Sequence, residues 1–318
     1  MRRSGPRQDP SGLTVERALS TFMRLLIQPE DGVRPLLDAI QGAKRRLDLY
    51  VFRLDRRDIR NALRDAVRRG VAVRALVAHT SNRGEKGARA LERMLRGLGA
   101  SVARTHHDLV RYHGKMMIVD RATLYVLGYN LTRQDIERSR SLGLVTTDAA
   151  FVHEALRLFQ ADFDRKPFMP ASGHFVVSPL NARAALHKLL SAARRRILIY
   201  DDRLTDRAMI RLLRDRAKAG VEVKVIGTMD KTPGKVRLRK LPGFKLHVRA
   251  IVQDGRRAFV GSQSLRRLEL DGRREIGLIV DDGPVVEQIA RVFAWDWARA
   301  GNGKRKPAPF PRAVARRP

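Results

Sequence analysis

The chain has 318 residues, of which 43% are hydrophobic and none is cysteine, and its 65 Lys and Arg against 33 Asp and Glu give a net charge of +32. This composition excludes a disordered chain, disulfide bonds and thiolate metal sites, and it predicts one large or two ordinary globular domains. The charge predicts attraction to polyanions, either nucleic acid or anionic lipid headgroups, unless it reflects only the Arg-rich composition of a high-GC bacterial genome.

The first 27 residues predict a basic, polar lead-in that contains a short helix over residues 19–26. We find no targeting segment, and no apolar run approaches the ~20 residues that span a bilayer. We therefore expect a cytoplasmic protein that can meet an anionic membrane only peripherally.

The next stretch has the pattern of an α/β sheet. Hydrophobic spacing predicts a helix over residues 33–44, a strand over 47–52, a second helix over 57–69 and a second strand over 71–77. Gly70 ends the second helix. Two apolar strands joined by a helix of this length predict a parallel crossover connection.

Residues 112–120 read Tyr-His-Gly-Lys-Met-Met-Ile-Val-Asp. His113 and Lys115 are two residues apart, so on an extended strand both side chains point to one face. A Lys beside a His favours an anion site, because the Lys neutralises charge and the His can attack or shuttle a proton. Asp120 follows the apolar run that continues the strand.

This pattern recurs over residues 246–254, where His247, Arg249 and Asp254 have the same spacing. Upstream, many residues of the two halves match at an offset of 150; from the His pattern onward the offset is 134. The first half therefore carries 16 additional residues, which we assign to a predicted helix over 83–100 at the rim of the site. The duplication predicts a lead-in (1–27), a first repeat (28–166), a linker (167–177), a second repeat (178–300) and a disordered basic tail (301–318).

The doubled pattern of His, a cation and Asp resembles the phospholipase D superfamily over roughly residues 28–300. Asn130 and Ser264 each lie ten residues after the Asp of their half, where the family usually has Gly-Ser-x-Asn. Glu275 resembles the acidic residue that orients a catalytic His, whereas Ser141 stands at the matching position of the first half. Arg249, Ser264 and Ser141 depart from the family pattern.

This resemblance implies an α/β fold of two phospholipase D-like α-β-α sandwich repeats, with mixed, largely parallel sheets, packed as a pseudo-two-fold pair around one site. It implies a phosphohistidine intermediate, with His113 as nucleophile and His247 as general acid, although Glu275 could instead make His247 the better-oriented base. We expect Lys115 and Arg249 to hold the phosphate and Asn130 and Ser264 to add neutral donors. No cofactor or metal is expected.

Asp120 and Asp254 each follow an apolar strand and precede a turn-like residue. We therefore expect them to fix the strand end or a neighbouring cation rather than to contact the substrate.

The two-repeat layout is similar to that of the cardiolipin synthase and phosphatidylserine synthase branch, which implies a phospholipid substrate. A nuclease of the same superfamily is the first alternative, because the chain is strongly basic. A phosphate-binding module that has lost catalysis is the second, because Arg249 and Ser264 replace family residues. The fused repeats remove the need for a dimer, so we expect a monomer.

Overall fold

The computed structural model describes residues 22–80, 84–230, 234–300 and 310–311. The elements of the first half are, in chain order, β1 (Met23–Gln28), α1 (Arg34–Gly42), β2 (Arg46–Val51), α2 (Arg57–Arg68), β3 (Ala72–Val77), α3 (Gly84–Gly97), β4 (Ser101–Arg104), β5 (Arg111–Tyr112), β6 (Met116–Val119), β7 (Thr123–Leu127), α4 (Arg133–Glu137), β8 (Ser139–Thr146) and α5 (Ala149–Phe163).

The second half repeats most of this series. Its elements are β9 (Phe175–Val177), α6 (Ala182–Ser191), β10 (Arg196–Leu204), α7 (Arg207–Lys218), β11 (Glu222–Met229), β12 (Arg237–Arg239), β13 (Lys245–Leu246), β14 (Ala250–Gln253), β15 (Arg257–Gly261), α8 (Arg267–Asp271), β16 (Arg273–Arg274), β17 (Ile276–Val280) and α9 (Gly283–Ala300).

Two mixed sheets have the same strand order. The first runs β1-β8-β7-β6-β2-β3-β4 and the second runs β9-β17-β15-β14-β10-β11-β12, so each strand of one half has a counterpart in the other. The pairs β2–β3, β3–β4, β10–β11 and β11–β12 are parallel, and the other pairs along these two paths are antiparallel. The predicted two-repeat α/β fold is confirmed, with sheets that are partly rather than largely parallel.

The helices are amphipathic and cover the sheets. On α2, Ile59, Ala62, Leu63 and Ala66 recur at helical spacing and are buried, and Gly70 ends the turn after the helix with φ +84°. Together α1 and α2 pack in an outer core of the first half, and α6 and α7 pack in the matching core of the second. A third core lies between the sheets and takes in α5 and α9, so it joins the two halves.

The N-terminal prediction is wrong in one respect. The sequence predicts a helix over residues 19–26, but Met23 to Leu26 belong to β1, which pairs with β8. Likewise β9 lies within the predicted linker and pairs with β17. The lead-in and the linker therefore each contribute a strand to a sheet.

The helix predicted over residues 83–100 is α3, and within the described residues the second half has no helix between β11 and β12. One face of α3 borders a cleft of about 260 Å³ whose other wall includes Phe52 and Leu54. The extra segment of the first half therefore lies next to Phe52, whose ring contacts His113.

Most of the lead-in and tail lies outside the described residues. Of the tail, Phe310 is described; its backbone N–H donates to Glu30, and its ring lies 6.2 Å from that of Trp295. Among the described helices, none has the length and apolar character needed to cross a membrane.

Candidate active site

Each predicted catalytic histidine is held by the opposite half of the chain. Strand β5, directly before His113, pairs in parallel with β16, and the backbone N–H of His113 donates to the carbonyl of Arg274 at 2.7 Å. Similarly, β13 pairs with β8, and the N–H of His247 donates to the carbonyl of Arg140 at 3.1 Å. The interface between the two halves therefore positions both imidazoles.

His113 is oriented by Glu275. Its Nδ1 lies 2.9 and 3.0 Å from the two oxygens of the Glu275 carboxylate, which is fully buried. The ring of Phe52 packs edge-on against the imidazole with centroids 4.4 Å apart. Burial, followed by the positive charge of Lys115, holds the pKa of His113 well below its usual value. The sequence left open whether Glu275 orients His247; the structure places it on His113.

Lys115 lies against the same imidazole. Its Nζ is 3.1 and 3.2 Å from the two ring nitrogens of His113 and donates to the His113 carbonyl at 2.6 Å. Burial lowers the pKa of Lys115 to about 8. The predicted pairing of a cation with His113 is therefore present, and the cation is close to losing its proton at mildly alkaline pH.

His247 faces a carboxylate that the sequence analysis did not single out. Its Nδ1 lies 3.3 Å from Oδ2 of Asp135, a buried residue of α4. The same oxygen accepts from the backbone N–H and the side-chain amide of Asn130, at 3.0 and 2.7 Å. Burial, followed by the charge of Arg249, lowers the pKa of His247 to about 3. Asp135 thus anchors Asn130 and lies beside His247, whose Nδ1 forms no hydrogen bond within the described residues.

A repeat signal could have found Asp135. Glu269, at the 134-residue offset, accepts the backbone N–H of Ser264 at 2.8 Å, just as Asp135 accepts that of Asn130. Ser141, which occupies the position equivalent to Glu275, is buried and its Oγ has no hydrogen-bond partner among the described residues. In the second half, the carboxylate beside the opposite histidine comes from Glu275. In the first half, the carboxylate beside His247 comes from Asp135, and position 141, which matches Glu275, is a serine.

Arg249, the second predicted cation, is partly neutralised. Its Nη2 lies 2.8 Å from Asp202, which also pairs with Arg266 at 2.7 Å. Within the described part of the chain, Nε and Nη1 of Arg249 are buried and have no hydrogen-bond partner. These N–H groups can still donate to an anion.

Ser264 is hydrogen-bonded to a neighbouring carboxylate. Its hydroxyl donates to Asp201, which also accepts the N–H of Leu265 at 2.7 Å. Burial raises the pKa of Asp201 to about 6. Asp201 and Asp202 occupy positions filled by Val51 and Phe52 in the first half, so the surroundings of the two histidines differ chemically.

Asp120 and Asp254 lie away from the histidine pair. Asp120 accepts the backbone N–H groups of residues 44–46 at 2.7–2.8 Å, and Asp254 accepts those of residues 194–196 at 2.8–2.9 Å. Each aspartate lies at the far end of the strand that begins just after its histidine, so roughly 20 Å of extended chain separates the two residues. Both fix the start of a central strand, β2 or β10.

Two buried triads join the halves. Arg140 of the first half pairs with Asp296 at 2.8 Å, and Asp296 accepts the hydroxyl of Tyr200 at 2.6 Å. The reciprocal triad consists of Arg274, Asp162 and Tyr50, with distances of 3.1 and 3.0 Å. Arg140 and Arg274 are also the residues whose carbonyls hold the two histidines. The triads therefore couple the interface directly to the site.

Together these groups form a site with two imidazoles in different surroundings, each beside a carboxylate and a cation. His113 interacts with Glu275, His247 with Asp135, and Lys115 and Arg249 supply positive charge nearby. Two such imidazoles can act as a nucleophile and an acid on one phosphoryl group. Over the described residues, no cluster of three His, Asp or Glu side chains is arranged to hold a metal ion.

The fold is similar to that of solved structures from bacteria. Polyphosphate kinase from Porphyromonas gingivalis superposes with a TM-score of 0.73 at 18% identity, over 90% of this chain and 53% of that chain. This chain therefore spans about half the length of that kinase. Phosphatidylserine synthase from Haemophilus influenzae Rd KW20 gives 0.63 at 11% identity, over 85% and 84% of the two chains. The phospholipase D family member Nuc from Salmonella typhimurium gives 0.42 at 22% identity, over 48% and 99%.

The sequence itself matches a family model. No curated protein matches it significantly, but the model described as "Cardiolipin synthase, PLD-like domain" matches residues 36–163 and 186–297. These two segments contain both histidine strands and most of both sheets. The chain therefore belongs to this cardiolipin synthase-type, phospholipase D-like family.

Proposed function

We propose that this protein is a phosphodiesterase or phosphatidyltransferase that acts on phospholipids through a phosphohistidine intermediate on His113. The observation that carries the proposal is the contact between Glu275 and Nδ1 of His113. A carboxylate that accepts the Nδ1 proton leaves Nε2 without a proton and makes it the nucleophilic atom. The low pKa of His113 keeps its imidazole neutral at the pH of the cell.

The reaction then has two displacements at one phosphorus. In the first, Nε2 of His113 attacks, the bond from phosphorus to the leaving oxygen breaks, and His247 gives that oxygen a proton. In the second, water or an alcohol gives a proton to His247 and attacks phosphorus, the P–N bond breaks, and His113 is restored. Burial, followed by the charge of Arg249, lowers the pKa of His247 in the free protein. The negative charge of a bound substrate and the carboxylate of Asp135 favour the protonated imidazole, which is the form that donates the proton.

The remaining residues divide between binding and positioning. Lys115 and Arg249 neutralise the non-bridging oxygens of the phosphate. Arg249 does so through Nε and Nη1, which have no hydrogen-bond partner within the described residues. The Asn130 amide donates to Asp135 and the Ser264 hydroxyl donates to Asp201, so we assign both residues to ordering these carboxylates. Glu275 orients His113 through a hydrogen bond, and the charge of Asp135 beside His247 favours the protonated form of that imidazole.

Exposed apolar side chains favour a lipid substrate. Five large hydrophobic residues are exposed in the described part of the chain, and two of them, Val110 at 60% and Leu268 at 43%, border Gly272. Val110 lies three residues before His113, and its N–H donates to the carbonyl of Gly272. An apolar edge near Lys115 and the two histidines fits a phospholipid, whose acyl chains adjoin an anionic headgroup.

Two alternatives rest on specific observations. The net charge of +32 favours a nuclease of the same superfamily. The pairing of Arg249 with Asp202 favours a phosphate-binding module without turnover, because a cation that is already neutralised stabilises a transition state less.

Turnover of bis-p-nitrophenyl phosphate in the presence of EDTA tests the proposal. His113→Ala and His247→Ala should both abolish turnover, whereas His187→Ala, at an exposed position of α6, should not. Phospholipid vesicles and single- and double-stranded DNA then identify the substrate. Binding of lipid or DNA without turnover of any of these substrates would contradict the enzymatic proposal and favour the binding module.

A further inference from the structure

We infer that Arg111 and Arg273 form a second anion subsite, which takes a second phosphoryl group of the substrate. This inference deepens the proposed function and rests on it for the reaction that the neighbouring histidines perform. The two arginines are direct partners in the parallel ladder between β5 and β16, one from each half of the chain. Their side chains therefore leave the ladder on the same face.

The ladder places this pair next to the catalytic pair. Arg111 lies two residues before His113, and Arg273 lies two residues before Glu275. Residues two apart on an extended strand share a face, about 7 Å apart. His113 and Glu275 are in contact on that face, so the arginine pair adjoins them along the strand direction.

Contacts with Phe52 agree with this geometry. The guanidinium of Arg111 lies 5.5 Å from the centroid of the Phe52 ring, whose edge packs against His113. The opposite face of the ladder is occupied by Arg274, whose guanidinium lies 5.5 Å from the ring of Tyr112. The two faces are therefore distinct, and Arg111 is on the face of the catalytic histidine.

The charges of the pair are poorly compensated. Across the described ranges, Arg111 forms no ion pair with a carboxylate, and Arg273 reaches Glu269 at 3.3 Å. The Nε atoms of both arginines are buried and lack a hydrogen-bond partner there. Like charges directly opposite each other destabilise a ladder. A phosphoryl group bound by both guanidinium groups would remove this repulsion and use their free donors.

The other half offers no equivalent subsite within the described residues. In the ladder between β13 and β8, Lys245 pairs with Ser139, which carries no charge. Lys245 is exposed, and Ser139 is buried. A double cation therefore flanks His113 but not His247, so the second phosphoryl group lies on the His113 side of the scissile phosphate.

Calorimetric titration of the full chain with three probes, at matched ionic strength, tests this subsite. The probes are inorganic phosphate, pyrophosphate and glycerol 1,3-bisphosphate. At least one doubly phosphorylated probe should bind about tenfold more tightly than phosphate. Tighter binding of pyrophosphate would indicate that the two phosphoryl groups of the substrate are adjacent. Tighter binding of glycerol 1,3-bisphosphate would indicate that a glycerol separates them. Arg111→Gln should remove this advantage and change the affinity for phosphate by less than about twofold.

The matched control is Lys245→Gln, which removes the equivalent cation of the other half and should retain the advantage. Arg111→Lys provides a second variant that keeps the charge but loses the planar fork, and it should bind with intermediate affinity. Equal affinity of the wild type for all three probes would overturn the inference, as would an equal loss for phosphate and bisphosphate in Arg111→Gln. Because binding requires no turnover, failure of the proposed reaction would not be mistaken for failure of the subsite.

Discussion

The carboxylate of Glu275, in the second half of the chain, lies 2.9 Å from Nδ1 of His113 in the first half. Neither half alone therefore contains both His113 and the carboxylate that orients it. The equivalent position of the first half is Ser141, so His247 cannot be oriented in the same way and instead lies 3.3 Å from Asp135. The two imidazoles therefore lie beside different carboxylates, Glu275 and Asp135.

Glu275→Gln should lower kcat about a hundredfold or more, because the amide cannot stabilise the imidazolium character that develops as His113 attacks. Steady-state kinetics with bis-p-nitrophenyl phosphate would measure this loss, with KM little changed. Ser141→Ala alters the matching position of the first half and should leave kcat unchanged. A Glu275→Gln variant that is folded and fully active would show that Glu275 has only a structural role.

Asp135→Asn should lower kcat about tenfold, because it removes the carboxylate beside His247 while its amide oxygen can still accept from Asn130. Adding Ser141→Glu to this variant returns a carboxylate at the position that Glu275 occupies in the other half. We expect the double variant to recover part of the lost kcat. The ¹⁵N shifts of His247 should move in Asp135→Asn, and unchanged shifts and pH profile would contradict a role for the Asp135 charge at His247.

The pH dependence of kcat/KM should have an alkaline limb near the pKa of Lys115, about 8. Below this pH the ammonium is charged and neutralises the phosphate; above it the charge is lost and activity falls. Lys115→Arg should move the limb to higher pH, since a guanidinium stays protonated. A limb that stays in place in Lys115→Arg would assign it to a different group.

Arg140→Met should destabilise the fold by about 3–5 kcal/mol, because it leaves the buried carboxylate of Asp296 without its partner. Urea unfolding followed by circular dichroism would measure the loss. The control is Arg34→Met, which breaks an exposed pair with Asp38 and should leave the midpoint nearly unchanged. Equal midpoints for the two variants would contradict a stabilising role for the Arg140 triad.

Much of the fold follows from local patterns. The helices α1 and α2 and the strands β2 and β3 lie within a few residues of their predicted positions, because their apolar faces are regular and Gly70 marks a helix end. The prediction for residues 19–26 failed because β1 is an apolar strand within the first sheet. A short apolar run of that kind does not distinguish a buried strand from a helix.

The predicted histidines and cations are brought together, but their partners could not be fully predicted. The contact between His113 and Glu275 depends on the two-residue ladder between β5 and β16, which leaves no periodicity in the sequence. Asp135 lies on a five-residue helix with no extended pattern. The signal that could have found it is Glu269 at the same offset in the second half, since both accept a backbone N–H five residues upstream.

The reciprocal triads make the interface between the two halves self-complementary. Arg140 pairs with Asp296, which binds Tyr200, and Arg274 pairs with Asp162, which binds Tyr50, so each half donates an arginine and receives one. Mutual exchange of this kind is what an isologous contact between two identical subunits produces. A half expressed alone would expose this self-complementary surface, and two copies of one half would carry the arginine, carboxylate and tyrosine needed to pair through it.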